Sequence, residues 1–439
     1  MGLSAAVLGG GISGLTSALH LVRLGHQVSL FETEESLGGL GASFAFGDLW
    51  LERFYHSILP TDRALLALLD RLGLADEVTW RPTAMGFVHR GRLHPLDTAL
   101  DLLRFAPLPL LDRLRLGWLG LRIRALRPDE DALDGLPAPA WLESQIGARA
   151  TRTLLRPLLA AKLGQNFDSV PALWLHHRLS REKNTRREVR GCLRGGYRAL
   201  VQALERALLD AGVELRPGTA VRALERDGEG TRLVHDSGRE PFDLVVATLP
   251  LPEVQRLAAP LGLPPGVAGL RLDYQGVVSA AFLTERPLSR FFWMPVVESG
   301  TFCQGIVEMS HLIPPERTGG LHLSYLVHYT HRSNPLFRAP EESLLDAFRR
   351  DLERLFPEAA RTVADGFLFR APFVEPLWPL GYLRRRPPVT LIPGRLYLAG
   401  TSQVYPRVNS WNSCCEVTEE LAAALRAGTA SSVPAPVRR

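Results

Sequence analysis

Ala5-Ala6-Val7-Leu8-Gly9-Gly10-Gly11-Ile12-Ser13-Gly14 decides the fold. The first four residues are small or apolar and read as a short parallel strand buried on both faces. From Ser13 to Leu24 the apolar positions Leu15, Ala18, Leu19 and Val22 recur at helical spacing, and Gly25 stops the helix. Val28 to Glu32 is a second strand, so a βαβ unit closes within about thirty residues. The glycines follow the spacing G-x-G-x-x-G. Gly9 allows the tight turn, Gly11 lets the backbone approach a pyrophosphate, and Gly14 lets helix and strand pack closely. The first helical turn, with Ser13 in it, offers free N–H groups and a positive dipole end to phosphates. Glu32 ends the second strand where a carboxylate reaches a ribose, which disfavours a 2′-phosphate and hence NADP.

Six residues further on stands Gly38-Gly39. A second glycine pair lets the backbone pass close to an extended cofactor, and it separates FAD from NAD. With Gly9, Gly11, Gly14, Glu32, Gly38 and Gly39 in place, the sequence resembles the flavin amine oxidase superfamily, which includes protoporphyrinogen oxidases and phytoene desaturases. The likeness extends to Thr219-Ala220-Val221, to Asp243–Pro250, and to Leu396-Tyr397-Leu398-Ala399-Gly400-Thr401. It implies FAD as cofactor, adenine held by the backbone at Val221, and a strand end at Gly400 and Thr401 closing over the flavin. Two positions depart from the pattern: Leu40 replaces an arginine after Gly-Gly, and Thr401 replaces an acid. The resemblance also implies a lysine that holds water at the flavin. The chain has only Lys162 and Lys183, both in its helical middle, so that device is expected to be absent. This favours carbon–carbon dehydrogenation over amine oxidation.

Asn409-Ser410-Trp411-Asn412-Ser413 supplies capping residues before a terminal helix expected from Ser413 to Ala427. A helix N-terminus there stabilises the negative charge of reduced flavin, so the ring is expected near residues 409–413, with Asn409 and Asn412 as contacts. By resemblance, Phe54-Tyr55-His56 turns back toward the ring. His56 is then a candidate general base or donor, and Tyr405 a candidate on the opposite side. Each also reads as an ordinary structural residue.

The implied architecture is α/β: a Rossmann-like FAD-binding domain with a parallel sheet assembled from discontinuous segments, a mixed α+β substrate domain, and a helical subdomain. The expected division places cofactor segments at 1–80, 191–255 and 391–430. A hairpin at 81–96, turning at Arg90-Gly91, and residues 256–390 form the substrate domain. Residues 97–190 are helical, punctuated by prolines, and end in a charged loop from Arg181 to Arg190. Residues 431–439 read as a disordered tail.

The 439 residues exceed one hydrophobic core, and 46% hydrophobic with 22% charged is ordinary for a soluble enzyme. The net charge of +5 comes from scattered arginines, and no nucleic-acid module is evident. Four cysteines, Cys192, Cys303, Cys414 and Cys415, fit neither a zinc site nor a disulfide framework and read as free thiols in a reducing cytosol. No targeting segment and no membrane span is seen, so a cytoplasmic protein is expected. Residues 100–126 mix leucines, Phe105 and Trp118 with five arginines. They read as a helical subdomain or as an interfacial element at the membrane.

The expected activity is hydride transfer from a bulky, apolar small molecule to flavin N5. The alternative is a non-redox flavoenzyme of the sugar-nucleotide mutase type, with Arg152, Arg156 and Arg178 as a diphosphate clamp. Oligomeric state is not legible.

Overall fold

The computed structural model describes residues 2–181 and 188–431. Ser4–Leu8 lies inside a six-stranded sheet ordered Thr390–Ile392, Leu396–Leu398, Leu244–Ala247, Ser4–Leu8, Gln27–Phe31, Glu214–Arg216. All neighbours pair in parallel except the edge strand Thr390–Ile392. Strands from four separate stretches of chain thus build one Rossmann-type sheet.

The short apolar runs that signalled these strands are buried on both faces, as parallel strands require. Ala5 and Val7 point to one side, into a core with Leu15 and Leu19 of helix Ile12–Arg23, Leu200 and Leu204 of helix Gly196–Asp210, and Leu421 of the terminal helix. Ala6 and Leu8 point to the other, toward a three-stranded antiparallel sheet, Val221–Asp227, Gly230–His235 and Gly238–Phe242. Phe31 locks the two layers, its ring 5.9 Å from Phe242 in an edge-on contact and 5.5 Å from His235.

A second, five-stranded antiparallel sheet runs Trp293–Pro295, Gly305–Glu308, His322–His331, Asp273–Thr284, Val363–Leu377. Its long strand Asp273–Thr284 alternates in function. Val278, Ala280 and Phe282 face Leu344, Phe348 and Leu352 of helix Glu341–Leu355. Val277, Ala281 and Leu283 face the other way, toward residues 40–55. That second face looks onto the site. Helices between Ala99 and Arg181 form the third part, around Leu119, Ile123, Trp141, Leu142 and Trp174.

The hairpin forms as expected: Gly86–His89 and Arg92–Pro95 are joined at Arg90 and Gly91, with φ of 53° and 68°. Both values suit the two-residue turn that matches strand twist. The charged loop expected over 181–190 is corrected. Arg181 ends helix Ala172–Arg181, and Glu188–Leu193 is a strand paired antiparallel with Val78–Thr83. That partner is remote in the chain, so local charge concealed the strand. Residues 182–187 lie outside the described residues, as does the expected tail from 432 onward. The terminal helix is longer than expected, Trp411–Ser431. Ser410 caps it reciprocally: Ser413 N–H donates to Ser410 Oγ at 3.2 Å and Ser410 N–H donates to Ser413 Oγ at 2.9 Å.

Candidate cofactor and substrate site

The glycine turn has the geometry its spacing demands. Gly9 adopts φ +105° and its N–H donates to Phe31 O at 2.8 Å. A Cβ on Gly14 would lie 1.7 Å from Gly9 O, so helix and strand touch backbone to backbone there. Gly11 is different. A Cβ on it would meet nothing nearer than Gly39 Cα at 4.0 Å. Protein packing does not require a glycine at this position; the space above it is open. Across that space Gly38 pairs with Gly11 in a parallel bridge, and Gly38 N–H donates to Gly10 O at 2.9 Å. Gly38 and Gly39 both take positive φ, 118° and 56°. Two glycine segments thus form an open floor in front of a helix whose first turn has no side-chain cap and no acid. Ser13 is buried in that turn, near the Cys414 thiol of the terminal helix.

At one end of the floor, Glu32 accepts Gly10 N–H at 2.6 Å and Glu34 N–H at 2.9 Å. Its own backbone carbonyl receives Thr219 N–H at 2.8 Å, so the strand that opens at Val221 starts beside it. At the other end lie the capped N-terminus of Trp411–Ser431 and Trp411 itself. The Trp411 ring fills the place of a side chain at Gly41, where a Cβ would sit 2.1 Å from it. Gly400 and Thr401 lie beyond the strand Leu396–Leu398; Gly400 N–H donates to Gln403 Oε1 at 3.1 Å, and Thr401 Oγ1 is 3.5 Å from Tyr274 OH. Asn409 Nδ2 donates to Val374 O at 2.6 Å, tying the helix entry to the second sheet.

The second sheet supplies a wall. Leu40, Phe54, Tyr55 and Val374 pack against Val277, Val327, Tyr329 and Ala371. Tyr55 OH and Tyr329 OH lie 3.0 Å apart, and the Tyr55 ring stacks on Trp293 at 6.3 Å. Burial, then the neighbouring Tyr55, pushes the Tyr329 phenol well above its usual range. Within this apolar wall sits an ion pair, Lys162 Nζ to Glu375 Oε2 at 3.4 Å. Burial pulls the Lys162 ammonium down, against the attraction of Glu375. Gln275 stands opposite Glu375 in register, is 1% exposed, and neither of its amide atoms has a partner; Glu375 Oε1 is also unpartnered. Polar atoms are thus gathered at one place in an otherwise apolar wall.

A family model for flavin-containing amine oxidoreductases matches residues 12–408. The chain belongs to this family. Human protoporphyrinogen oxidase is 31% identical over 333 residues, covering 63% of this chain and 68% of that protein. The coproporphyrinogen III oxidase of Propionibacterium freudenreichii is 27% identical over 316 residues, 58% of each chain. Across its first relatives the chain spans only about two thirds of their length or less, 58% to 68%. Among solved structures, cyclohexylamine oxidase from Brevibacterium oxydans superposes with a TM-score of 0.73 at 18% identity, covering 98% and 100% of the two chains. Reduced UDP-galactopyranose mutase superposes at 0.75 with 16% identity, covering 98% and 95%. Both show the fold alone. The family is one of flavin-containing oxidoreductases.

The glycine segments, Glu32 and the start of the strand at Val221 lie side by side. His56 lies beside Trp411, its Nδ1–H donating to Phe54 O at 3.0 Å, 3.7 Å from Glu52 Oε2, and its ring 4.9 Å from Tyr197 and 5.7 Å from Trp411. That bond leaves Nε2 as the open acceptor of the neutral ring. Two expectations are corrected. Tyr405 is fully buried against Trp378 and Tyr382, and its hydroxyl donates to Asp134. That proton is committed, so Tyr405 is a core residue. Asn412 spends Oδ1 on Leu65 N–H at 3.1 Å and Nδ2 on Glu416 at 2.8 Å, fixing the terminal helix to helix Arg63–Arg71. Lys162, from helix Arg156–Leu163, reaches the second sheet. Tyr329, Gln275 and Glu375 went unnoticed because only the pairing of three strands distant in sequence brings them together. The clamp of the mutase alternative does not assemble: Arg156 is tied to exposed Asp168 at 3.0 Å, Arg152 is exposed, and only Arg178 lies near Lys162.

Proposed function

We propose that the chain binds FAD and uses it to take a hydride from a bulky, largely apolar small molecule that carries one polar group. The observation that carries this reading is the open space above Gly11, floored by Gly38-Gly39, with Glu32 at one end and a capped helix N-terminus at the other. A carboxylate for a ribose and an open glycine floor for a pyrophosphate suit a dinucleotide flavin better than a mononucleotide. Gly11, Gly39 and the first turn of Ile12–Arg23 hold the pyrophosphate; Glu32, which still has free lone pairs, takes the ribose, and the backbone at Val221 takes the adenine. Asn409 and Thr401 line the ring end. The positive end of Trp411–Ser431 favours negative charge on the pyrimidine side of the ring. Flavin supplies the two-electron acceptor when bound. Tyr55, Tyr329 and Leu40 exclude water and shape the apolar part of the cavity. Lys162, Glu375 and Gln275 orient the polar group, and His56 Nε2 accepts or returns a proton.

Denaturing the purified yellow protein and chromatographing the released flavin tests the assignment. FAD in a one-to-one ratio is expected. FMN at full occupancy would overturn it.

A further inference from the structure

Eight of the thirteen large apolar side chains that are exposed among the described residues lie between Leu100 and Leu126. They are Leu100, Leu103, Leu110, Leu111, Leu114, Trp118, Leu121 and Leu126, each 44–63% exposed. This is a continuous patch, not a scatter, and monomers rarely leave such patches in water without use.

Helix Leu110–Ala125 explains the patch. Leu110, Leu114, Trp118 and Leu121 follow spacings of four, four and three, so they stack along one face over ~16 Å. Leu119 and Ile123 lie on the opposite face and are buried in the helical core, where Asp112 is also buried. The helix therefore has two apolar faces, one already used by the fold. The helix Ala99–Arg104 adds Leu100 and Leu103 to the open side.

Charge flanks this face. Residues 99–127 hold six arginines against two aspartates. Projected at 100° per residue, Arg115 and Arg122 lie along one edge of the exposed stripe, Arg113 and Arg124 along the other. Both aspartates are engaged: Asp101 caps its own helix at Thr98, and Asp112 pairs with Arg149 at 2.8 Å and Arg115 at 3.7 Å. Arg104, Arg124 and Arg127 have no side-chain partner among the described residues.

We propose that this face is a docking surface for an anionic lipid bilayer. Trp118 and the leucines enter the boundary between headgroups and acyl chains, while the arginines stay at headgroup level. The arginine edges argue against a second copy of the chain as occupant, because a self-facing patch would set these edges against each other with no free acid to meet them. No described helix is long and apolar enough to cross a membrane, so the contact is one-sided.

Co-sedimentation of the flavin-loaded protein with vesicles tests this. It should bind vesicles of phosphatidylcholine and phosphatidylglycerol in equal parts, bind pure phosphatidylcholine far more weakly, and lose affinity at high salt. Leu114→Ser with Trp118→Ser should lower binding at least tenfold while leaving flavin content and turnover unchanged, since both side chains are exposed. Arg124→Glu and Arg127→Glu should each cost roughly five-fold on the anionic vesicles. The proposal fails if the native protein ignores anionic vesicles. It fails also if the serine variants bind as well as the parent, or if the patch instead holds a concentration-dependent dimer that those variants dissolve.

Discussion

Lys162, on the helix Arg156–Leu163, places its ammonium 3.4 Å from the carboxylate of Glu375, on the strand Val363–Leu377. Glu375 is 2% exposed, and the unpartnered amide of Gln275 stands beside it. The pair is therefore a largely buried charge couple within the apolar face of the second sheet. Removing one partner of such a pair strands the other; the usual cost is about 3–5 kcal/mol. Lys162→Met alone should lower the melting temperature markedly. The double variant Lys162→Met/Glu375→Gln should regain most of that stability but raise KM, because the polar anchor is gone. Thermal melts and steady-state kinetics on the three proteins check both halves. A double variant with native KM would remove the pair from the substrate site.

How much of this was legible in sequence depends on distance along the chain. Gly9, Gly11, Gly14, Glu32 and Gly38-Gly39 lie within one βαβ unit, and local spacing exposes their roles. Val221 and Gly400 became legible only through the resemblance of their segments to the flavin amine oxidase superfamily. The Lys162–Glu375 pair joins a helix to a strand far along the chain, and no local pattern marks either residue. Tyr405 shows the reverse failure. It was read as a candidate on the side opposite His56, but Asp134 and Trp378, remote in sequence, claim it for the core.

Gly11 and Gly14 should fail in different ways. A Cβ at Gly11 would have Gly39 Cα at 4.0 Å as its nearest contact, whereas one at Gly14 collides with Gly9 O at 1.7 Å. Gly11→Val should give a folded, colourless protein with a cooperative melt. Gly14→Val should fold poorly or not at all. Far-ultraviolet circular dichroism and flavin absorbance on both variants distinguish these outcomes. A yellow Gly11→Val protein would displace the pyrophosphate from this turn.

A cleft of about 420 Å³ lined by His20, Arg23, Arg71, Glu419 and Arg426 lies outside the catalytic region, where helix Ile12–Arg23 meets the terminal helix. Burial, reinforced by Arg71, Arg23 and Arg426, pulls the His20 imidazole from 6.5 down to about 4. The unfolded chain then takes up this proton first. Stability linked to His20 is complete above pH 6.5 and is lost as the pH falls toward 4. His20→Gln should flatten that part of the decline. Melting temperatures at several pH values across this window, for parent and variant, would show it. Parallel curves would mean that His20 is not linked to folding in this range.

His56 carries the sharpest test of the chemistry. Its Nδ1 is held by Phe54 O, and its ring lies against Tyr197 and Trp411, the latter seated over Gly41 at the ring end of the cleft. A histidine oriented this way presents Nε2, and a positioned general acid–base typically contributes about a hundredfold or more. His56→Ala should therefore keep its flavin yet turn over about a hundredfold more slowly, with the loss confined to substrates whose oxidation releases a proton at that side. His56→Gln keeps the shape and a hydrogen bond but cannot relay a proton, so it should recover stability without recovering rate. If His56 only braces Tyr197 and Trp411, the pattern inverts: His56→Ala melts earlier while each folded, flavin-loaded molecule turns over normally, and His56→Gln resembles the parent in both respects. Turnover per bound flavin and melting temperature, taken on the same preparations, separate the two roles.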